Sequence, residues 1–138
     1  MSALATLARV ARRKAEEIER ALAALEERRA IVERRVDAHD RTVAGEQATA
    51  AGSVDAAIAF GAYAQLALAQ RRGMASERDV IANEANALRD ALREAFIELK
   101  KIETLIAQDV ERVQVEEGRR EQAQMDDLAA NMSRRQSS

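Results

Sequence analysis

The stretch Ala15-Glu-Glu-Ile18-Glu-Arg-Ala-Leu22-Ala-Ala-Leu25-Glu-Glu-Arg-Arg29-Ala-Ile-Val32-Glu-Arg-Arg-Val36-Asp-Ala-His39-Asp-Arg-Thr-Val43 decides the fold. Its apolar residues Ile18, Leu22, Leu25, Val32, Val36 and Val43 fall on alternating steps of four and three, interrupted only by Arg29 and His39. Carried backwards, the same steps land on Ala15, Ala11, Ala8 and Leu4. This is the a/d seam of a heptad repeat. So narrow a stripe cannot be buried on a globular core, and it requires another helix lying along it. A second seam with the same steps runs through Ile81, Ala85, Leu88, Leu92, Ala95, Leu99, Ile102 and Ile106. Two seams on one chain predict an all-α fold, a long antiparallel two-helix coiled coil closed as a hairpin.

Composition points the same way. Among 138 residues there is no proline, tryptophan or cysteine, and only two Phe and one Tyr. About a third of the chain is charged (33%), mainly Glu and Arg, which is the profile of long helices rather than of sheets or layered domains. The absence of cysteine rules out disulfides and is compatible with the cytosol. A net charge of −2 gives no general reason to expect nucleic acid. The first residues lack the order of a signal peptide. Nothing resembles a phosphate-binding glycine loop, a nucleophile with a histidine partner or metal-ligand spacing. A two-helix hairpin has no pocket to shift carboxylate pKa values. No enzyme, no cofactor and no metal is expected.

The organisation predicted is a single coiled-coil domain over 1–138: a helix over about 3–47, a turn over about 48–53, a second helix over about 54–130 and a frayed tail over 131–138. Gly52 stops the first helix, Ser53 caps the second and Asp55 sits in its first turn. A turn centred near residue 50 places Leu4 near Phe96. The longer second helix then overhangs with Leu99, Ile102, Ile106, Val110 and Val113 unpaired. A competing division breaks the second helix at Gly73, before Ser76-Glu-Arg-Asp79, which reads as a capping box. That would leave 54–72 as a short tip helix and match the two arms, with Arg119 and Arg120 beside the first turns. One long second helix, with a possible kink near Gly73, is the favoured reading.

Three features lie off the seams. The segment Ala56-Ala-Ile-Ala-Phe60-Gly-Ala-Tyr63-Ala-Gln-Leu66-Ala-Leu-Ala69 is apolar almost all round, yet too short to span a bilayer. It reads as alanine-rich helix filler, as a docking surface near the hairpin tip anchored by Phe60, Tyr63 and Leu66, or as a dimer contact. Arg9, Arg12, Arg13 and Lys14 form a basic cluster with no preceding acid. That cluster reads as a solubilising end, as an ionic dock for an acidic partner, or as a nucleic-acid or membrane contact. His39, the only histidine, is a polar seam residue or a pH-sensitive register element. Arg29 snorkels or pairs with a glutamate across the coil. The remaining Glu and Arg residues form solvated faces with i,i+4 pairs.

Leu4-x-x-Leu7 followed by Arg12-Arg13-Lys14, two heptad seams, Phe60-x-x-Tyr63 at mid-chain and Met125-Asp-Asp-Leu-Ala129 near the end together resemble the FliJ family of flagellar type III export proteins. The resemblance covers nearly the whole chain. It implies a stalk-like antiparallel two-helix protein that binds the hexameric flagellar export ATPase ring, promotes its assembly and activity, touches the cytoplasmic domain of the export gate and escorts export chaperones. By the same resemblance, Arg9, Arg12 and Arg13 would enter the ATPase ring and Phe60 and Tyr63 would face the gate, with Leu66 beside them. Ala67, Gln70 and Met74 depart from the family pattern at the gate contact. The location implied is cytoplasmic, at the inner membrane of the flagellar base only through partners, and a monomer is expected. The alternatives are a structural coiled coil that homodimerises through the overhang and the related injectisome stalk.

Overall fold

The computed structural model describes residues 2–137. It contains two α-helices, α1 (Ala3–Ala50) and α2 (Val54–Gln136), packed together as an all-α hairpin whose second helix is the longer. Both helices begin on serine caps. The backbone N–H of Ala5 donates to Ser2 Oγ at 3.1 Å, and that of Ala56 donates to Ser53 Oγ, also at 3.1 Å. Asp55 sits in the first turn of α2, where the helix dipole favours a negative charge. The turn itself is tight, with the Gly52 N–H donating to the Thr49 carbonyl at 3.1 Å.

Both helices outrun the sequence-based bounds. α1 continues to Ala50 because Ala48, Ala50 and Ala51 are strong helix formers, so nothing stops the helix before Gly52. α2 runs through the expected frayed tail to Gln136, with Arg134 and Arg135 in its last turn, where cations suit the dipole; Ser138 lies outside the described residues. α2 is also unbroken at Gly73, so the short tip helix does not form.

Packing divides the chain into two compact units, one comprising residues 1–13 with 95–138 and the other residues 14–94. In the second unit the core is Leu25, Val32, Val36, Ile81 and Ala85, with Leu22, Met74 and Leu88 packed against it. Ile81 is its only large side chain with no exposure at all (0%). Every seam position from Ala15 to Val43 is buried or half-buried, Arg29 and His39 included. Cross-helix contacts fix the register here. His39 meets Ala67, Asp40 meets Arg71, Arg35 meets Glu77 and Glu26 meets Arg89. Arg29 does not reach across the coil; its Nε lies 3.6 Å from Glu33 on its own helix.

In the first unit, Ala8, Ala95 and Ile102 are buried, and Leu4, Ala11, Leu99 and Ile106 are half-buried. Arg12 pairs with Glu103 at 3.3 Å. These contacts correct the expected overhang. Paired residue numbers add to 115 for Arg12 and Glu103 and to 106 for His39 and Ala67, not to about 100. The cause is a turn centred near residue 53 rather than 50, because α1 stays helical to a buried Ala50 and α2 is half-buried from Ala56. Leu99, Ile102 and Ile106 are therefore covered, and only Val110 and Val113 of the expected stripe stay exposed. From residue 107 every described residue is exposed, which leaves an unpartnered helix of about 45 Å at 1.5 Å per residue.

Candidate partner-docking surfaces

The basic first turns sit on α1 directly after the Ser2 cap. Arg9, Arg12 and Arg13 are all exposed. Arg12 is committed in part, since its guanidinium donates to Glu103 while more than half of its side chain stays in solvent. Arg13 makes no ion pair among the described residues. The expected juxtaposition of Arg119 and Arg120 with these turns required arms of matched length, and the arms are not matched.

At the turn, Phe60 and Tyr63 stack obliquely, with ring centroids 6.0 Å apart and planes tilted by 41°. Both are half-buried: Phe60 continues the α2 seam, which runs back from Ala67 through Ala64, and Tyr63 flanks it beside Ala64. With Glu46, Thr49 and Ala50 of α1 they line a shallow groove of about 230 Å³. The truly exposed apolar side chains at this end are Val54 (76%), Ile58 (71%), Leu66 (59%) and Leu68. Of the three anchors expected from sequence, only Leu66 belongs with these. Val54 and Ile58 were missed, although the seam phase would have found them: neither falls on the steps of four and three traced back from Ala64.

The seam of the second unit also holds a polar layer. His39 Nε2 stands 3.0 Å from the Ala67 carbonyl oxygen. That oxygen can only accept, so the Nε2–H tautomer donates. Beside it Arg71 holds Asp40 in a two-pronged pair, Nε to Oδ1 at 2.8 Å and Nη2 to Oδ2 at 3.2 Å. The hydrogen bond from Arg71 holds the Asp40 carboxyl below its ordinary pKa, and the guanidinium's charge adds to it. The same bond raises Arg71 above its own ordinary value. Polar seam layers of this kind fix register more than they add stability.

The unpartnered part of α2 carries exposed Val110, Val113, Val115, Met125, Leu128 and Met132 among many charges. No group of His, Cys, Asp or Glu able to hold a metal ion occurs among the described residues. No helix among them is long and apolar enough to cross a membrane. Helical faces, unpaired cations and apolar ends can bind and position other proteins.

Comparison with known families bears on which proteins those are. Neither the curated proteins nor the solved structures gave a match. The family model described as "Flagellar FliJ protein" matches residues 1–138. The chain belongs to the FliJ family, and so to the components of flagellar type III protein export.

Proposed function

We propose that this hairpin couples the flagellar export ATPase to the export gate, as a stalk that binds the hexameric ATPase ring, promotes its assembly and turnover and escorts export chaperones. The family match over the whole chain carries this reading. The end bearing Arg9, Arg12 and Arg13 enters the ring, and the end bearing Phe60, Tyr63 and Leu66 contacts the cytoplasmic domain of the gate. The chain then resides at the cytoplasmic face of the inner membrane through its partners alone.

The physical chemistry supports these roles. Exposed guanidinium groups on a helix end are drawn to an acidic ring pore by steering that salt screens. A two-helix stalk cannot match six-fold symmetry, so it touches some subunits more than others and biases their conformational equilibria unequally. The exposed Val54, Ile58 and Leu66 offer an apolar contact small enough to be transient.

Charge reversal tests the ring assignment. Arg9, Arg12 and Arg13 are changed together to Glu, circular dichroism confirms that helix content is kept, and ATP turnover by the purified export ATPase is measured with and without the variant. The wild-type chain raises turnover, more so at low salt, and the variant does not. Stimulation by the variant equal to that by the wild type would remove this end from the ring.

A further inference from the structure

The side of α2 turned away from its seam carries a groove that neither the hairpin packing nor the proposed contacts use. Ile97, Lys100, Lys101, Thr104, Leu105 and Gln108 line it, and it opens to solvent over about 590 Å³. These residues span about three helical turns. At about 100° per residue, Lys100 falls about 60° to one side of Ile97 and Lys101 about 40° to the other. Leu105 follows about 12 Å along the axis, on the Lys101 side. Ile97 and Leu105 are half-exposed, although each is large enough to be worth burying. The Thr104 hydroxyl donates to the Lys100 carbonyl at 2.8 Å, so it is satisfied within the helix.

We infer that this groove receives an acidic amphipathic helix of a partner protein, with apolar residues about two turns apart and carboxylates beside them. Charge selects that occupant. The cross-helix ion pairs of the hairpin are made by Arg12, Arg35, Arg71 and Arg89. Arginine suits such fixed pairs, whereas lysine is a mobile point charge on an apolar stem. Neither Lys100 nor Lys101 has an ion-pair partner among the described residues, and both are exposed. Two free cations beside two apolar side chains complement an amphipathic helix that carries acids next to its apolar stripe.

Other occupants fit less well. Glu98 and Glu111 are exposed along the same stretch of α2 and repel an extended polyanion, and no aromatic ring lines the groove for a base to stack on. A second copy offers one segment of suitable chemistry, Met125-Asp-Asp-Leu128. Leu128, however, lies about 140° round α2 from Ile97, so a two-fold pair cannot turn both towards the partner, and a head-to-tail pair would not close. None of this depends on the roles given to the Arg9 end or to the turn.

A fluorescent synthetic helix of about five turns, with two leucines about two turns apart and glutamates on either side of each, is the probe. Its anisotropy with the full chain should give a dissociation constant on the order of 100 µM at low salt, weakening as salt rises. Lys100→Glu with Lys101→Glu weakens binding about tenfold or more, and Ile97→Ser with Leu105→Ser does likewise. Lys100→Gln with Lys101→Gln, which adds no negative charge beside Glu98, gives a smaller loss, and circular dichroism checks that all three variants keep their helix content. The variant with Arg9, Arg12 and Arg13 changed to Glu binds the probe as the wild type does. Absence of binding, binding indifferent to the lysine exchanges, or equal binding of a probe with glutamine in place of glutamate would overturn the inference. So would retention of single-stranded DNA through the same lysines, which would assign the groove to nucleic acid. A mean mass above that of the monomer in sedimentation equilibrium, abolished by the lysine exchange, would assign it to a second copy and overturn the inference as well.

Discussion

Replacing Ile81 by Ala should be the most destabilising apolar truncation in the chain. Ile81 is fully enclosed (0% exposed) by the cluster of Leu25, Val32, Val36 and Ala85. Truncation of a buried Ile to Ala costs about 2–5 kcal/mol, the spread reflecting how far the site collapses. A two-helix seam is open to solvent on both flanks, so its side chains can close in, and the cost falls near the lower end, about 2–3 kcal/mol. With a urea dependence of about 1–2 kcal/mol per molar, the unfolding midpoint should drop by roughly 1–3 M. Helix ellipticity at 222 nm against urea measures this. Ile97→Ala is the control, because Ile97 is half-exposed (51%) and its truncation should cost no more than about 0.5 kcal/mol. Equal shifts for the two variants would refute the view that one short cluster anchors the hairpin.

Further outcomes follow from the same geometry. A carboxyl whose folded pKa is depressed contributes stability above its unfolded value and loses it as pH falls through the folded one. Asp40 is such a group, so Asp40→Asn should be less stable than the wild type at neutral pH, and the gap should close below about pH 4; urea midpoints at pH 7 and pH 3 check this. Gly118 lies in the unpartnered helix with open space where a Cβ would stand, so Gly118→Ala should favour that helix by about 1 kcal/mol and slow amide exchange around it. At the turn, Val54→Ser with Ile58→Ser should weaken binding to the gate's cytoplasmic domain while leaving the urea midpoint within the effect of about 0.5 kcal/mol. Phe60→Ala with Tyr63→Ala should lower both, since these rings also pack on α1. Calorimetric titration and denaturation together separate the two pairs.

Much of the hairpin could be read from the residues. Steps of four and three located the α1 seam residue by residue, including Arg29 and His39, and the α2 seam from Ile81 to Ile106. What the seams leave open is their mutual offset. A heptad pattern fits any register that slides by whole repeats, so the offset is set by the turn, and there Ala48, Ala50 and Ala51 carry no signal that separates helix from loop. That displaced the expected pairing by about ten positions and made Leu99, Ile102 and Ile106 look unpartnered when they are covered. Ion pairs were legible only along one helix. Arg12, Arg35, Arg71 and Arg89 instead find carboxylates far away in sequence, which depends on the same offset. At the turn, hydrophobicity alone drew attention to the aromatic rings, whereas exposure follows the phase of the seam and favours Val54 and Ile58.

The most direct test of the whole account is protein export by cells from which this chain has been removed. Flagellar subunits released into the medium are measured in the deleted strain, and again after the chain is restored. The account predicts a severe loss of secreted subunits that the wild-type chain reverses and the Arg9, Arg12 and Arg13 charge-reversal variant does not. Undiminished secretion in the deleted strain would contradict it.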